Sequence, residues 1–123
     1  TFNPNDPQAN LTRVPPADYE ANLDGISRLA REHGVKCCFL LLPRDESIRH
    51  GDATERLEQY RALFRQAAEK RGDWLLDLAA RSDQLPPDQR KSIFIDGFHL
   101  APLGHEWVAK ELSAFLATKL AAP

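Results

Sequence analysis

Apolar positions in this chain change period several times, and each change marks an element. From Ala17 onward, Tyr19, Leu23, Ile26 and Ala30 recur at helical spacing, and Gly34 stands where a helix commonly ends on a left-handed residue. The run VKCCFLLLP, residues 35–43, is continuously apolar and stops at Pro43, which predicts a strand buried on both faces, as in a parallel sheet. A polar loop, RDESIRHGD, follows. Asp52 and Glu55 then have the spacing of a capping box, and Leu57, Tyr60, Leu63, Phe64, Ala67 and Ala68 make one apolar helical face that ends at Gly72.

WLLDL reads as a second short buried strand, and a proline-containing segment, residues 79–91, reads as a loop leading to SIFIDGFHL. A last helix is predicted from Pro102, a favoured first helical residue, with Val108, Leu112, Phe115 and Leu116 on its apolar face. Residues 1–16, with four prolines and three asparagines and no periodicity, predict a loop or linker, and residues 17–123 the domain. Strands alternating with amphipathic helices indicate an α/β class with a parallel sheet and helices on its faces. Two strands do not close a sheet, so further strands are expected upstream or in a second chain. The absence of any methionine fits that expectation, because it suggests a start after a processing or truncation point.

Composition narrows the function classes. With 42% hydrophobic residues, 28% charged residues and a net charge of −2, the chain has the balance of a globular domain, and no basic face suggests nucleic acid or an anionic membrane as partner. No apolar run is long enough to span a bilayer. Cys37 and Cys38 are adjacent on a strand and so point to opposite faces, which disfavours a bond between them and makes them small core residues. Trp74 and Trp107 are expected to pack in the core or against the sheet, and His33 and His50 to be exposed. The mixed charges of RDESIRHGDATERLEQYR read as a solvated face, or as the border of a substrate pocket, since they follow the strand end at Pro43.

The chemistry concentrates in FIDGFHLAPLGHEWVAKEL, residues 94–112, where Asp96 and His99 stand three apart at an expected strand-to-helix turn. Functional residues of open α/β sheets gather at the carboxyl ends of strands. A carboxylate three residues before a histidine can fix its tautomer through one ring nitrogen and leave the other to serve as general base toward a hydroxyl. Gly97 is expected to ease the turn with backbone angles closed to other residues. The alternative is that Asp96 caps a turn and His99 packs beside it, since both favour turns. A metal site from Asp96, His99, His105 and Glu106 is disfavoured, because His105 falls in the helix and need not face His99.

IFIDGFHLAPLGHEWVAKELSAFL resembles the last conserved block of the SGNH (GDSL-type) hydrolases. That block runs Asp-x-x-His, an apolar residue, a Pro, a Gly and a final helix, matched here by Asp96, His99, Leu100, Pro102 and Gly104. Upstream, RVPPADYEANLDGISRLAREHGVKCCFLLLP is similar to the family's helix and strand after its third block, especially in bacterial extracytoplasmic or membrane-attached members. The resemblance implies a flavodoxin-like three-layer α/β/α sandwich, of which this chain is the C-terminal part. It also implies a serine ester hydrolase of esterase, lipase or carbohydrate acetylesterase type, without cofactor. Asp96 would orient His99, and His99 would activate a serine against small acyl esters or acetylated carbohydrate.

Two parts of the family pattern are absent. The G-D-S block with the nucleophile is missing, as is the glycine of the second block, so the serine is expected outside this chain. Ser27 and Ser113 fall in expected helices, and Ser47, Ser82 and Ser92 lack the family's context. The third block survives at most as NPND, with Asn3 in place of glycine, Asn5 as oxyanion-hole candidate and Asp6 closing it. Ala101 stands at the expected N-cap, where a hydroxyl residue would be worth about 1 kcal/mol. The competing class is a non-catalytic SGNH-like binding module lacking the nucleophile. An unrelated flavodoxin-like binding domain is disfavoured by the lack of a glycine-rich phosphate loop after a strand.

Overall fold

The computed structural model describes residues 14–45 and 52–121, with the side chains of residues 52–54 excepted. Asn3, Asn5, Asp6, Ser47 and His50 lie outside the described residues, and the capping-box reading of Asp52 rests on a side chain outside them.

Pro15 and Pro16 open helix α1, Pro16–Glu32, with a proline at its first position. It stops at Gly34, whose φ of 66° is the left-handed conformation expected there. Strand β1, Cys38–Leu41, follows. Helix α2, Asp52–Arg71, ends the same way at Gly72, φ 67°, and leads into strand β2, Trp74–Asp77. The strands pair in parallel, with Cys38 opposite Trp74 and Leu41 opposite Asp77. The described residues are therefore mostly helical around a small two-stranded parallel sheet.

The core forms where α1 and α2 pack on the sheet. Leu23, Phe39, Ala67 and Ala68 are buried together, with Tyr19, Cys37, Phe64 and Leu75 against them. Phe39 and Phe64 meet edge to face at 5.3 Å. Leu76 and Leu78, 1% and 0% exposed, are worth roughly 1.5–3 kcal/mol each in burial. Asp24 of α1 accepts from Arg71 of α2 at 2.7 Å, and Arg65 of α2 donates to Asp77 at the end of β2, also at 2.7 Å.

Several expectations are corrected. The inward row of α1 is Tyr19, Leu23 and Ser27, spaced by four, whereas Ile26 is 53% exposed. Ser27 tolerates burial because its hydroxyl donates to Asp73. Strand β1 buries Phe39 and Leu41 fully but Cys38 and Leu40 only partly, an alternation in place of the expected two-sided burial. Both cysteines are free and half-buried, and burial pushes their thiols up.

The stretch after β2 is not a loop. It holds helix α3, Leu78–Asp83, capped by the Asp77 carboxylate accepting from the Ala80 N–H at 2.9 Å, and helix α4, Pro87–Ser92, with proline at its first position. An Asp N-cap and a Pro-Pro pair were the available signals. Finally, the apolar run at residues 93–95 joins no sheet. Phe94 and Leu100 form a single antiparallel bridge to each other.

Helix α5, Pro102–Ala121, starts where expected, and Val108, Leu112, Phe115 and Leu116 are half-buried. Gly104 is its buried residue, while Leu103 and Leu120 are exposed. Its Glu111 accepts from Arg81 of α3. Among the described residues no helix is long and apolar enough to cross a membrane.

Candidate active site

The Asp96–His99 segment is a folded-back loop closed on itself. The Ile95 N–H donates to the His99 carbonyl at 2.9 Å, and the Ala101 N–H to the Ile93 carbonyl at 2.9 Å, on either side of the Phe94–Leu100 bridge. Ile93 and Phe94, 4% and 8% exposed, anchor one arm in the interior. The start of α5 fixes the other arm, where the His105 N–H donates to the Ala101 carbonyl at 3.0 Å. At the tip, the buried Gly97 carbonyl accepts from the Asp45 N–H at 3.1 Å, which ties the loop to the carboxyl end of β1. The strand end expected directly before Asp96 is absent, and the loop is held instead against the segment that follows β1. Among the described residues positive φ occurs at Gly34 and Gly72 and not at Gly97. The contribution of Gly97 is its carbonyl, not left-handed backbone.

Asp96 combines the two roles that its sequence context left as alternatives. Its Oδ1 accepts from the backbone N–H groups of Phe98 and His99, at 2.8 and 2.7 Å, which is the turn-forming role. Its Oδ2 meets Nδ1 of His99 at 2.8 Å. A carboxylate has lone pairs enough for all three bonds. The His99 backbone N–H, then its ring, then the Phe98 N–H hold the Asp96 pKa down at about 2, so the carboxylate is ionised at neutral pH. An ionised acceptor at Nδ1 favours the tautomer with its proton there and leaves a lone pair on Nε2. Among the described residues Nε2 makes no hydrogen bond, and the His99 side chain is 78% exposed. This arrangement can accept a proton from a hydroxyl placed against Nε2.

The described serines do not supply that hydroxyl. Ser27 donates to Asp73, Ser82 to the Ala79 carbonyl at 2.8 Å, and Ser92 to the Gln89 carbonyl at 2.7 Å; Ser113 is exposed on α5. No three of the His, Cys, Asp and Glu side chains among the described residues converge as metal ligands. His33 bonds its own helix through Leu29, and His105 is exposed. Trp74 and Trp107 are half-buried.

Two residues beside the loop carried no signal as a pair in the sequence. The Arg44 guanidinium lies 4.1 Å from the centroid of the Phe98 ring, next in the chain to His99. Fifty-four positions separate them, and the bond from the Asp45 N–H to the Gly97 carbonyl holds their segments together.

No family model and no curated protein matches the chain. Among solved structures it is similar to the crystal structure of LAE5, an alpha/beta hydrolase enzyme from the metagenome of Lake Arreo, Spain. The TM-score is 0.61 at 27% identity, over 83% of this chain and 47% of that one. The chain thus spans about half of LAE5, and the likeness supports an α/β fold of hydrolase type.

Proposed function

We propose that this chain is the C-terminal part of an SGNH-type serine ester hydrolase with a flavodoxin-like α/β/α sandwich, and that it supplies the Asp–His half of a Ser-His-Asp triad. The observation that carries the reading is the pairing of His99 Nδ1 with an Asp96 carboxylate already locked by two backbone donors, with Nε2 left open. The serine comes from polypeptide outside these residues, and that polypeptide covers the exposed side of His99. His99 takes the serine proton on Nε2 as the hydroxyl oxygen attacks the ester carbonyl, then delivers it to the departing alcohol. A water deprotonated by the same nitrogen resolves the acyl-enzyme. Small acyl esters, including acetylated carbohydrate, suit this chemistry, and Asn5 is the oxyanion-hole candidate carried by the family resemblance.

The test is to label the native protein with a fluorophosphonate probe and weigh each labelled peptide. Labelling of a serine outside residues 1–123, together with loss of ester hydrolysis in His99→Ala, is the expected result. Labelling of one of the five serines of this chain would overturn the placement of the nucleophile. Hydrolysis unaffected by His99→Ala would remove the triad. Absence of both label and hydrolysis would favour a binding module, a reading supported by the fact that no described serine is bonded to His99.

A further inference from the structure

At the carboxyl end of β1 an open groove of about 340 Å³ lies between the first two helices and the Asp96–His99 loop. Its walls are largely apolar, with Tyr19, Tyr60, Phe64 and Phe98 among them, and its two charged lining residues are both arginines, Arg44 and Arg61. Arg61 is 5% exposed, and its Nη1 donates to Glu58 at 3.0 Å. Arg44 is half-buried, stacked on Phe98, and among the described residues forms no ion pair with a carboxylate. Burial, and then the charge of Arg61, push the Arg44 pKa down. The positive charge of Arg61 behind it raises the cost of the half-buried Arg44 cation, and an anion placed against Arg44 from the solvent side relieves that cost. With Cζ 4.1 Å over the Phe98 ring, Arg44 makes a cation–π contact through its face, a contact that does not use its N–H donors. A guanidinium fork can engage a planar carboxylate through two parallel N–H···O bonds.

We propose that Arg44, stacked on Phe98 with Arg61 behind it, forms a subsite for a carboxylate carried by the ester substrate. The assignment rests on the hydrolase reading for what the site is for, but not for whether it binds. Phe98 adjoins His99, and Asp45 is tied to Gly97, so a carboxylate held at Arg44 sets the position of the ester relative to Nε2. That carboxylate has two sources, the alcohol part, as in an acetylated uronic acid, or the acyl part, as in a hemisuccinyl ester.

The experiment measures kcat/KM of the native protein for three esters: an acetylated uronic acid, its uncharged methyl uronate counterpart, and a hemisuccinyl ester of a neutral alcohol. At least one charged ester should be preferred over the neutral one by about tenfold or more. Arg44→Gln should bring that ratio close to one, Arg44→Lys should retain part of it, and Arg28→Gln, on the exposed face of the first helix, should leave it in place. Which charged ester shows the preference identifies the source of the carboxylate. A ratio near one in the native protein for both charged esters, or a ratio that survives Arg44→Gln, overturns the subsite. If no ester is turned over, the hydrolase reading fails separately, and binding then decides. Glucuronate, but not its methyl ester, should shift the Phe98 ring and Arg44 Nε–H resonances saturably. No shift with glucuronate overturns the proposal on its own.

Discussion

His99 is bonded to Asp96 twice, through its backbone N–H to Oδ1 at 2.7 Å and through ring Nδ1 to Oδ2 at 2.8 Å. The first bond builds the turn, and the second orients the ring. Asp96→Asn separates them. The amide oxygen can still accept from the backbone, but the amide nitrogen presents a donor to Nδ1. Nδ1 must then act as acceptor, which moves the ring proton to Nε2 and removes the base. On the triad reading kcat should fall on the order of 10³–10⁴-fold while the fold is retained. Activity assays beside nitrogen-15 spectra of the imidazole check this. An unchanged kcat with the ring proton moved to Nε2 would mean that Nε2 is not the base.

The same bonds make a pH prediction. Asp96 is ionised in the folded protein down to about pH 2, below its ordinary value of 3.8. A depressed folded pKa means that the stabilising contribution is fully present above the ordinary value and is lost as pH falls through about 2. Carbon-13 titration of the Asp96 carboxyl should give a midpoint near 2, and His99→Ala, which removes the ring bond but keeps the backbone donor, should raise it. A midpoint near 3.8 in the unsubstituted protein would show that the turn bonds are not held in solution.

Much of the fold was legible because period and punctuation agree. Gly34 and Gly72 both adopt the left-handed conformation that ends α1 and α2, and the two apolar runs between helices pair as parallel strands. The misreadings share a cause. Ser27 sits in the buried row of α1 because Asp73, forty-six positions later, accepts its hydroxyl, and no local window contains that partner. Helices α3 and α4 are six residues each, too short for periodicity to show. At the site, Asp96 and His99 were legible because three residues of spacing suffices for their contact. Arg44 and Phe98 were not, because only the folded chain brings them together.

Ser27→Ala tests the buried link between the first helix and Asp73, the residue before the second strand. Ser27 is 1% exposed, and its hydroxyl donates to the Asp73 carboxylate. Alanine fills the space but leaves the carboxylate one donor short. A lost hydrogen bond to a charged group costs about 1.5–3 kcal/mol. Urea unfolding of the native protein should show a lower midpoint with an unchanged m-value, and on the proposed hydrolase reading ester hydrolysis should be retained, since neither residue belongs to the Asp96–His99 loop. A destabilisation (midpoint shift times m) below about 0.5 kcal/mol would mean that solvent substitutes for the hydroxyl at that position.

Gly104 connects the final helix to the site more directly than its distance along the chain suggests. A Cβ at this position would lie 2.1 Å from the Ile93 carbonyl oxygen and 3.1 Å from its carbonyl carbon, with a Leu100 methyl also at 3.1 Å. The oxygen belongs to backbone and accepts from the Ala101 N–H, so it cannot swing aside as a side chain would. Gly104→Ala must therefore push the Ile93 arm of the loop away from α5, breaking the bond that closes the loop behind Asp96 and His99. Overpacking of this kind costs about 1–3 kcal/mol, or more where backbone must move. The displacement should also carry Asp96 away from Nδ1, so on the proposed triad reading activity should fall even where the folded fraction is unchanged. Measuring kcat at a temperature well below the unfolding midpoint separates the two effects. A stable Gly104→Ala variant with undiminished kcat would show that the Asp96–His99 pair does not depend on the approach of α5 to Ile93.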